Sequence, residues 1–394
     1  MSESPFLNQL ATELSERESK SLYRRRRVLD SPQGARVMCN GCEVLNFCSN
    51  DYLGLANHPS VVAAAQQGAA EWGVGSGAAH LVAGHFTPQH TLEERFAAFS
   101  GKPAAILLST GFMANLAVIP ALLGRGDAVF ADKLNHASLN DACQLARADF
   151  KRFAHNDVAQ LERLLAQSDA KRKLIAVDAV FSMDGDIAPL AQYLALAEQY
   201  DALLYIDDAH GFGVLGEGRG TLAELGLDSP RIIYMATLGK AAGVAGAYIA
   251  AEQVVIDYLI NTARSYIYTT AAPPLLACAL HASLDVIEHD KARRERLLSH
   301  IRYFKQFFAT ELVDAPCELL PSDTAIQPLI VKDNATAVAL SQALLDAGLL
   351  VAAIRPPTVA TPRLRVTLSA AHSDDDVKLL CREIKRVLMA AEQG

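Results

Sequence analysis

Lys240 lies in ATLGKAAG, where Gly and Ala side chains leave room for a planar molecule to approach the amine. A lysine amine forms Schiff bases with aldehydes. Asp207 and His210 follow the apolar run Leu203 to Ile206, three residues apart at what reads as the carboxyl end of a buried strand. Ligands of open α/β sheets bind at that edge. There a carboxylate can hold the nitrogen of a heteroaromatic ring and an imidazole can meet a ring oxygen. An aldehyde-seeking amine beside such a ring clamp points to pyridoxal 5'-phosphate.

Further polar motifs follow other apolar runs. STGF puts the backbone N–H groups of Gly111 and Phe112 at a strand-to-helix turn, a place that holds phosphate. NHAS places His136 after AVFADK, FSMDGD places Ser182 after KLIAVDAV, and Thr237 precedes Lys240 by one turn of loop. Taken singly, an Asp-Asp pair after a strand is a polar loop or cap, and a loop lysine is solvated surface. Convergence on one sheet edge is what makes the set specific. GFGVLG at 211–216 also matches a dinucleotide fingerprint, but the EGRG that follows cannot open the helix that site requires.

The elements that must position these groups alternate. Short apolar runs (AAILLS, AVFA, KLIAVDAV, LLYID, RIIYMAT) are separated by stretches of helical periodicity, which predicts βαβ units and a mainly parallel sheet with helices on both faces. The uncharged run from Ala104 to Gly124 is interrupted by Ser109, Thr110, Gly111, Asn115 and Pro120, and reads as strand, turn and helix rather than a membrane span. Residues 1 to about 30 read as an amphipathic helix ending in Arg24 to Arg27. Cys39 and Cys42 flank Asn40-Gly41, a hairpin signal, so the C-x-x-C is a turn rather than half a zinc site. No metal is read from the sequence. After Pro273-Pro274 come long helices and then short strands, including LLVAAI and the alternating RLRVTLS that carries Arg365. The division expected is an N-terminal helix and hairpin segment over 1–50, a large α/β domain over 51–275 and a small α+β domain over 276–394.

The chain is 51% hydrophobic and 20% charged, an ordinary globular balance, and its net charge of -8 with no long basic run argues against nucleic acid. The charged N-terminus has no signal-peptide core, and seven scattered cysteines fit a reducing compartment, so the cytoplasm is expected and no membrane partner.

SNDYLGL, STGFMAN, HASL, FAHNDV, FSMDGD, DDAHG, TAIQPLIV, AIRPPTV and RLRVTLSAAH, in that order from about Leu22 to the C-terminus, resemble the α-oxoamine synthases, fold-type I pyridoxal phosphate enzymes. The resemblance is strongest to the branch that joins L-alanine to a pimeloyl thioester, on coenzyme A or acyl carrier protein, in biotin biosynthesis. It implies a seven-stranded sheet sandwiched by helices, with a smaller C-terminal α+β domain, in a homodimer. It also implies roles: Lys240 as the Schiff-base lysine, Asp207 on the pyridinium nitrogen, His210 on the ring hydroxyl and His136 stacked on the ring. Gly111, Phe112, Ser182 and Thr237 match cofactor contacts, and Thr269 and Thr270 match residues reaching the neighbouring subunit's phosphate. Arg365 matches the arginine that grips the amino-acid carboxylate, and Arg24, Asn50 and Thr358 match further substrate contacts. The glycine-rich loop departs from the family pattern: it reads Gly75-Ser76-Gly77-Ala78-Ala79-His80, and Ala79 leaves space beside the substrate's Cα. The segment from Thr358 to Arg363 is short for the family, which changes the lid over the acyl chain.

Overall fold

The computed structural model describes residues 4–313, 315 and 317–392. They form two compact units: Asn50–Ser182 with Asp186–Glu295, and Met1–Ser49 with Met183–Gly185 and Arg296–Gly394. These boundaries differ from the expected 50/51 and 275/276. The helix Pro274–His289 stays with the larger unit because it packs on the helix Pro59–Trp72, so closely that a Cβ on Gly68 would meet Cys278 Cβ at 2.8 Å.

The larger unit is built on a seven-stranded sheet in the order Ala104–Leu108, Ala247–Ala251, Ile232–Thr237, Ala202–Asp207, Lys173–Asp178, Ala128–Asp132, Asp149–Phe153. Only Ala247–Ala251 runs against its neighbours. Alternate residues pack on one side: Ile106, Val129, Leu174, Tyr205, Ile233 and Ile249 join the helices Gly111–Leu122, Ala137–Leu145 and Gln253–Thr262 in one core. The other side carries aromatic packing, with Phe96 stacked on Tyr248 at 4.3 Å and Phe212 edge-on to both. Both faces are covered, which is why these strands read as unbroken apolar runs. The run Ala104 to Gly124 forms the expected strand and helix, with Thr110 accepting the Met113 N–H at 3.1 Å as the helix cap.

At the carboxyl ends of two strands His155 bridges Asp132 (3.2 Å) and Asp186 (2.8 Å). Burial works against its protonation, but the two carboxylates outweigh it and lift the imidazole to about 10.

The smaller unit holds two sheets. In the first, Arg36–Cys39 and Cys42–Asn46 form the expected hairpin, with Cys39 opposite Cys42 and left-handed φ at Asn40 (51°) and Gly41 (80°). Leu349–Leu350 adds to it in parallel. The second sheet runs Glu318–Leu319, Ile326–Ile330, Arg363–Thr367, Ala352–Ile354. LLVAAI is therefore two strands rather than one: Leu349–Leu350 pairs with the hairpin and Ala352–Ile354 with Arg363–Thr367. The helix expected over 1 to about 30 runs only from Pro5 to Ser19, its first three expected residues lying outside the described set. Lys20 caps it, Ser21 takes a φ of 54°, and Arg24 to Arg27 continue as irregular backbone, where four adjacent guanidinium groups avoid the repulsion of a shared helical turn.

Candidate active site

Strand ends and helix starts meet around a cleft of about 170 Å³ in the larger unit, lined by Gly111, Phe112, His136, Ser182, Asp207, His210, Thr237 and Lys240, with Asn115, Ser138 and Asp178. Every residue read from the sequence as a cofactor contact lies there except Thr269 and Thr270, which follow the short helix Arg264–Ile267 and do not line the cleft.

Asp207 is 4% exposed, and its carboxylate is held in place rather than solvated. It accepts the Asn115 side-chain N–H at 2.9 Å and the Ala209 N–H at 3.1 Å. Asn115 is itself oriented by Tyr205, whose hydroxyl donates to its oxygen at 2.6 Å. The Asn115 amide also donates to Ser138 Oγ at 2.7 Å, and Ser138 Oγ lies 2.6 Å from His136 Nδ1. One chain of side chains thus runs from the floor of the cleft to the imidazole on its wall.

His136 caps the helix Ala137–Leu145, with Nδ1 accepting the Ser138 N–H at 3.2 Å and its own N–H donating to Asp178 at 2.6 Å. Burial lowers its pKa, so the ring is a neutral, flat, hydrogen-bonded wall. Asp178 is raised well above the carboxylate range by burial and by the charge of Asp207.

Lys240 Nζ lies 2.8 Å from His210 Nε2, and His210 Nδ1 lies 2.5 Å from the Tyr52 hydroxyl. Tyr52 is fully buried, and its hydroxyl also lies 3.3 Å from Asn50 Oδ1. A phenol on Nδ1 sets which ring nitrogen carries the proton, so His210 presents Nε2 to the cleft in one orientation. Also lining the cleft, Gly111 and Phe112 open a helix, where their N–H groups have no partner within it.

This donor set fits pyridoxal phosphate. Lys240 would supply an amine for the aldehyde, Asp207 a buried carboxylate for the ring nitrogen and His210 a donor for the ring hydroxyl. The first turn of Gly111–Leu122, beside Thr237, suits the phosphate.

Sequence reasoning passed over Asn115, Ser138, Asp178, Tyr205 and Tyr52. Asn115 did leave a signal, being the polar residue in ANLAVIPALL one helical turn after Gly111.

Three predicted substrate contacts belong to the smaller unit. Arg24 donates to Thr358 Oγ1 at 2.9 Å, and Arg365 is buried with a guanidinium N–H on Thr367 Oγ1 at 3.1 Å. Arg363, two residues earlier on the same strand, pairs with Asp184 at 2.7 Å and with the Met183 carbonyl at 2.9 Å.

The model of the aminotransferase class I and II family matches residues 43–384. The chain is 57% identical to the 8-amino-7-oxononanoate synthase of Nitrosospira multiformis over 95% of each chain. Among solved structures it is similar to a serine palmitoyltransferase of Sphingomonas wittichii, with a TM-score of 0.92, 31% identity and 99% of each chain covered. It is also similar to a serine palmitoyltransferase of S. paucimobilis with bound PLP, at a TM-score of 0.92, 27% identity and full coverage of both chains. With an amine, a ring clamp and a phosphate turn in one cleft, and with that match along nearly its whole length, the chain belongs to the 8-amino-7-oxononanoate synthases, pyridoxal phosphate-dependent acyltransferases of the fold-type I class.

Proposed function

We propose that this enzyme condenses L-alanine with a pimeloyl thioester, releasing CO2 and the free thiol and giving 8-amino-7-oxononanoate for biotin biosynthesis. The observation that carries the reading is the convergence of Lys240, His210, Asp207 and His136 on one cleft, held by two hydrogen-bonded sets, Lys240 with His210 and Asp207 with Asn115, Ser138 and His136. Bound pyridoxal phosphate supplies an aldehyde for amines and a ring that withdraws electrons from the carbon next to them.

The residues then divide the work. Lys240 would hold the aldehyde through its amine and, as a free amine, would be the group that accepts the Cα proton of alanine. Asp207, held in place by the Asn115 and Ala209 N–H groups, would hold a proton on the ring nitrogen through a charge-assisted bond. His210, oriented by Tyr52, would donate to the ring hydroxyl, and His136, on the cleft wall, would cover the ring. Gly111, Phe112, Ser182 and Thr237 hold the cofactor's remaining groups.

On the strength of the resemblance, Arg365 is assigned to the alanine carboxylate, with Arg24, Asn50 and Thr358 as further substrate contacts. Thr269 and Thr270 are assigned to the phosphate of a neighbouring copy, which makes the working unit a homodimer. Coenzyme A and acyl carrier protein both remain as thiol carriers. All seven cysteines are unpaired, which suits the cytoplasm, and among the described residues no helix is long and apolar enough to cross a membrane.

A second reading keeps the chemistry and changes the substrates. The structural likeness to serine palmitoyltransferases, together with Ala79 in the glycine-rich loop, favours testing a larger amino acid or a longer acyl chain. The test is product analysis by mass spectrometry, pairing alanine, glycine and serine with pimeloyl-CoA and palmitoyl-CoA. Alanine with pimeloyl-CoA should outrun every other pair. A faster palmitoyl reaction, or conversion of the cofactor to its amine form by alanine alone, defeats the proposal.

A further inference from the structure

Away from the cleft, the stretch from His80 to Glu93 gathers three imidazoles and a buried carboxylate. His90 and Glu93 are three residues apart on the helix Thr87–Ser100, so they project from one face. His85 arrives from the irregular turn just before it. His85 Nε2 lies 3.1 Å from His90 Nδ1 and 3.8 Å from Glu93 Oε2, and one ligand atom from each of the three lies within 4.8 Å of the others.

The outward-facing atoms are already engaged. His85 Nδ1 lies 3.1 Å from His80 Nδ1, and His80 stacks on Tyr266 at 5.0 Å with the rings 10° from parallel. Glu93 Oε1 accepts the Leu107 N–H at 2.8 Å, and His90 Nε2 faces Glu94 Oε1 at 3.7 Å. The inward-facing atoms face one another, His85 Nε2 meeting His90 Nδ1 at 3.1 Å, while each side chain is also fixed by an outer partner. Outer contacts of this kind set the tautomer and aim of metal-binding histidines.

A plain hydrogen-bonded chain of imidazoles is the competing account, and it does not include Glu93 Oε2. That oxygen stands 3.8 Å from His85 Nε2, outside hydrogen-bond distance but within the separation of two ligands on one ion. The spacing suits a metal: ligand atoms at zinc–nitrogen distances of about 2.05 Å in a tetrahedron sit roughly 3.3 Å apart. A cavity of about 650 Å³ opens beside all three residues, leaving a fourth position for water.

We infer that His85, His90 and Glu93 form a zinc site separate from the catalytic cleft, with His80 and Glu94 as outer partners and a solvent-facing fourth position. Bound there, zinc fastens the turn that follows the glycine-rich stretch to the helix Thr87–Ser100 and stabilises the native state by mass action. The site is independent of the substrate assignment above.

The test uses full-length holoenzyme treated with chelator and titrated with Zn2+, read by calorimetry and thermal melting. One equivalent should bind and raise Tm. His85→Gln and His90→Gln should each weaken binding by more than about 10-fold, and His80→Phe, which keeps a ring against Tyr266, by about 10-fold. The Cys39→Ser/Cys42→Ser double variant should bind as the parent does. His90 is exposed, so its variant folds regardless. An absence of stoichiometric binding, equal binding by the His90→Gln variant, or binding that follows the cysteines overturns the inference.

Discussion

Asp207 and Asp208 follow one another at the end of one strand, are both buried, and turn to opposite sides of the sheet because successive strand residues alternate. Asp207 shares the side of Tyr205 and meets Asn115 and the cleft. Asp208 turns to the other side, where it accepts from the Thr221 N–H (2.7 Å), the Thr221 hydroxyl (2.6 Å) and the Tyr234 hydroxyl (2.8 Å). Burial raises Asp208 to about 6 even against those three donors. Gly211 and Gly220 leave the space its carboxylate occupies, since a Cβ on either would collide with it. One carboxylate is presented to a ligand and the other is spent on architecture. Identical chemistry one residue apart is divided by the direction of the side chain alone.

The comparison gives graded expectations. Lys240→Ala removes both the cofactor's anchor and the base, and turnover with alanine and pimeloyl-CoA should fall by at least about 10^4-fold while the visible cofactor band is lost. Appreciable residual activity would move the chemistry elsewhere.

Asp207→Asn should lower the rate of alanine Cα-proton exchange by roughly 10^2- to 10^4-fold with little change in unfolding midpoint. Asp208→Asn should do the reverse, costing about 1–3 kcal/mol of stability in urea unfolding and changing kcat only a few-fold. If both variants lose activity equally at equal stability, the division between the two aspartates is wrong.

Tyr52→Phe frees His210 from its orienting phenol, and kcat should drop by about 10-fold while alanine KM holds. A change in KM alone would make Tyr52 a substrate contact rather than a positioning residue.

The smallest effect concerns His155, whose pKa is raised in the fold from 6.5 to about 10. Its contribution to stability is therefore fully present below pH 6.5, declines above that, and is gone past about pH 10. Urea unfolding of the parent and His155→Gln should show a gap at pH 6 that closes by pH 10. A gap that widens with pH would mean the imidazole is neutral in the folded state.

Much of this was legible in the residues. Ala104 to Gly124 forms the strand and helix that its interruptions imply, and Asn40-Gly41 turns as its φ preferences require. Lys240, Asp207, His210 and His136 line one cleft, as their places after strands suggested. The failures share a cause. Asn115, Ser138 and Tyr52 act through partners far away in sequence, and a single chain of letters does not display such pairs. The strand break at Val351 depends on two sheets competing for neighbouring residues, although LLVAAI has one uniform β pattern. The helix end at Ser19 hangs on a left-handed residue that no Gly or Asn announces.

By itself the sequence determined the periodicities, the turn residues and the set of reactive side chains, because these depend on local sterics and on each residue's own chemistry. Only the tertiary structure decided which of two adjacent aspartates faces the cleft, which phenol orients His210, and which histidines crowd round Glu93. Those outcomes depend on where burial removes water and on which distant group arrives to replace it.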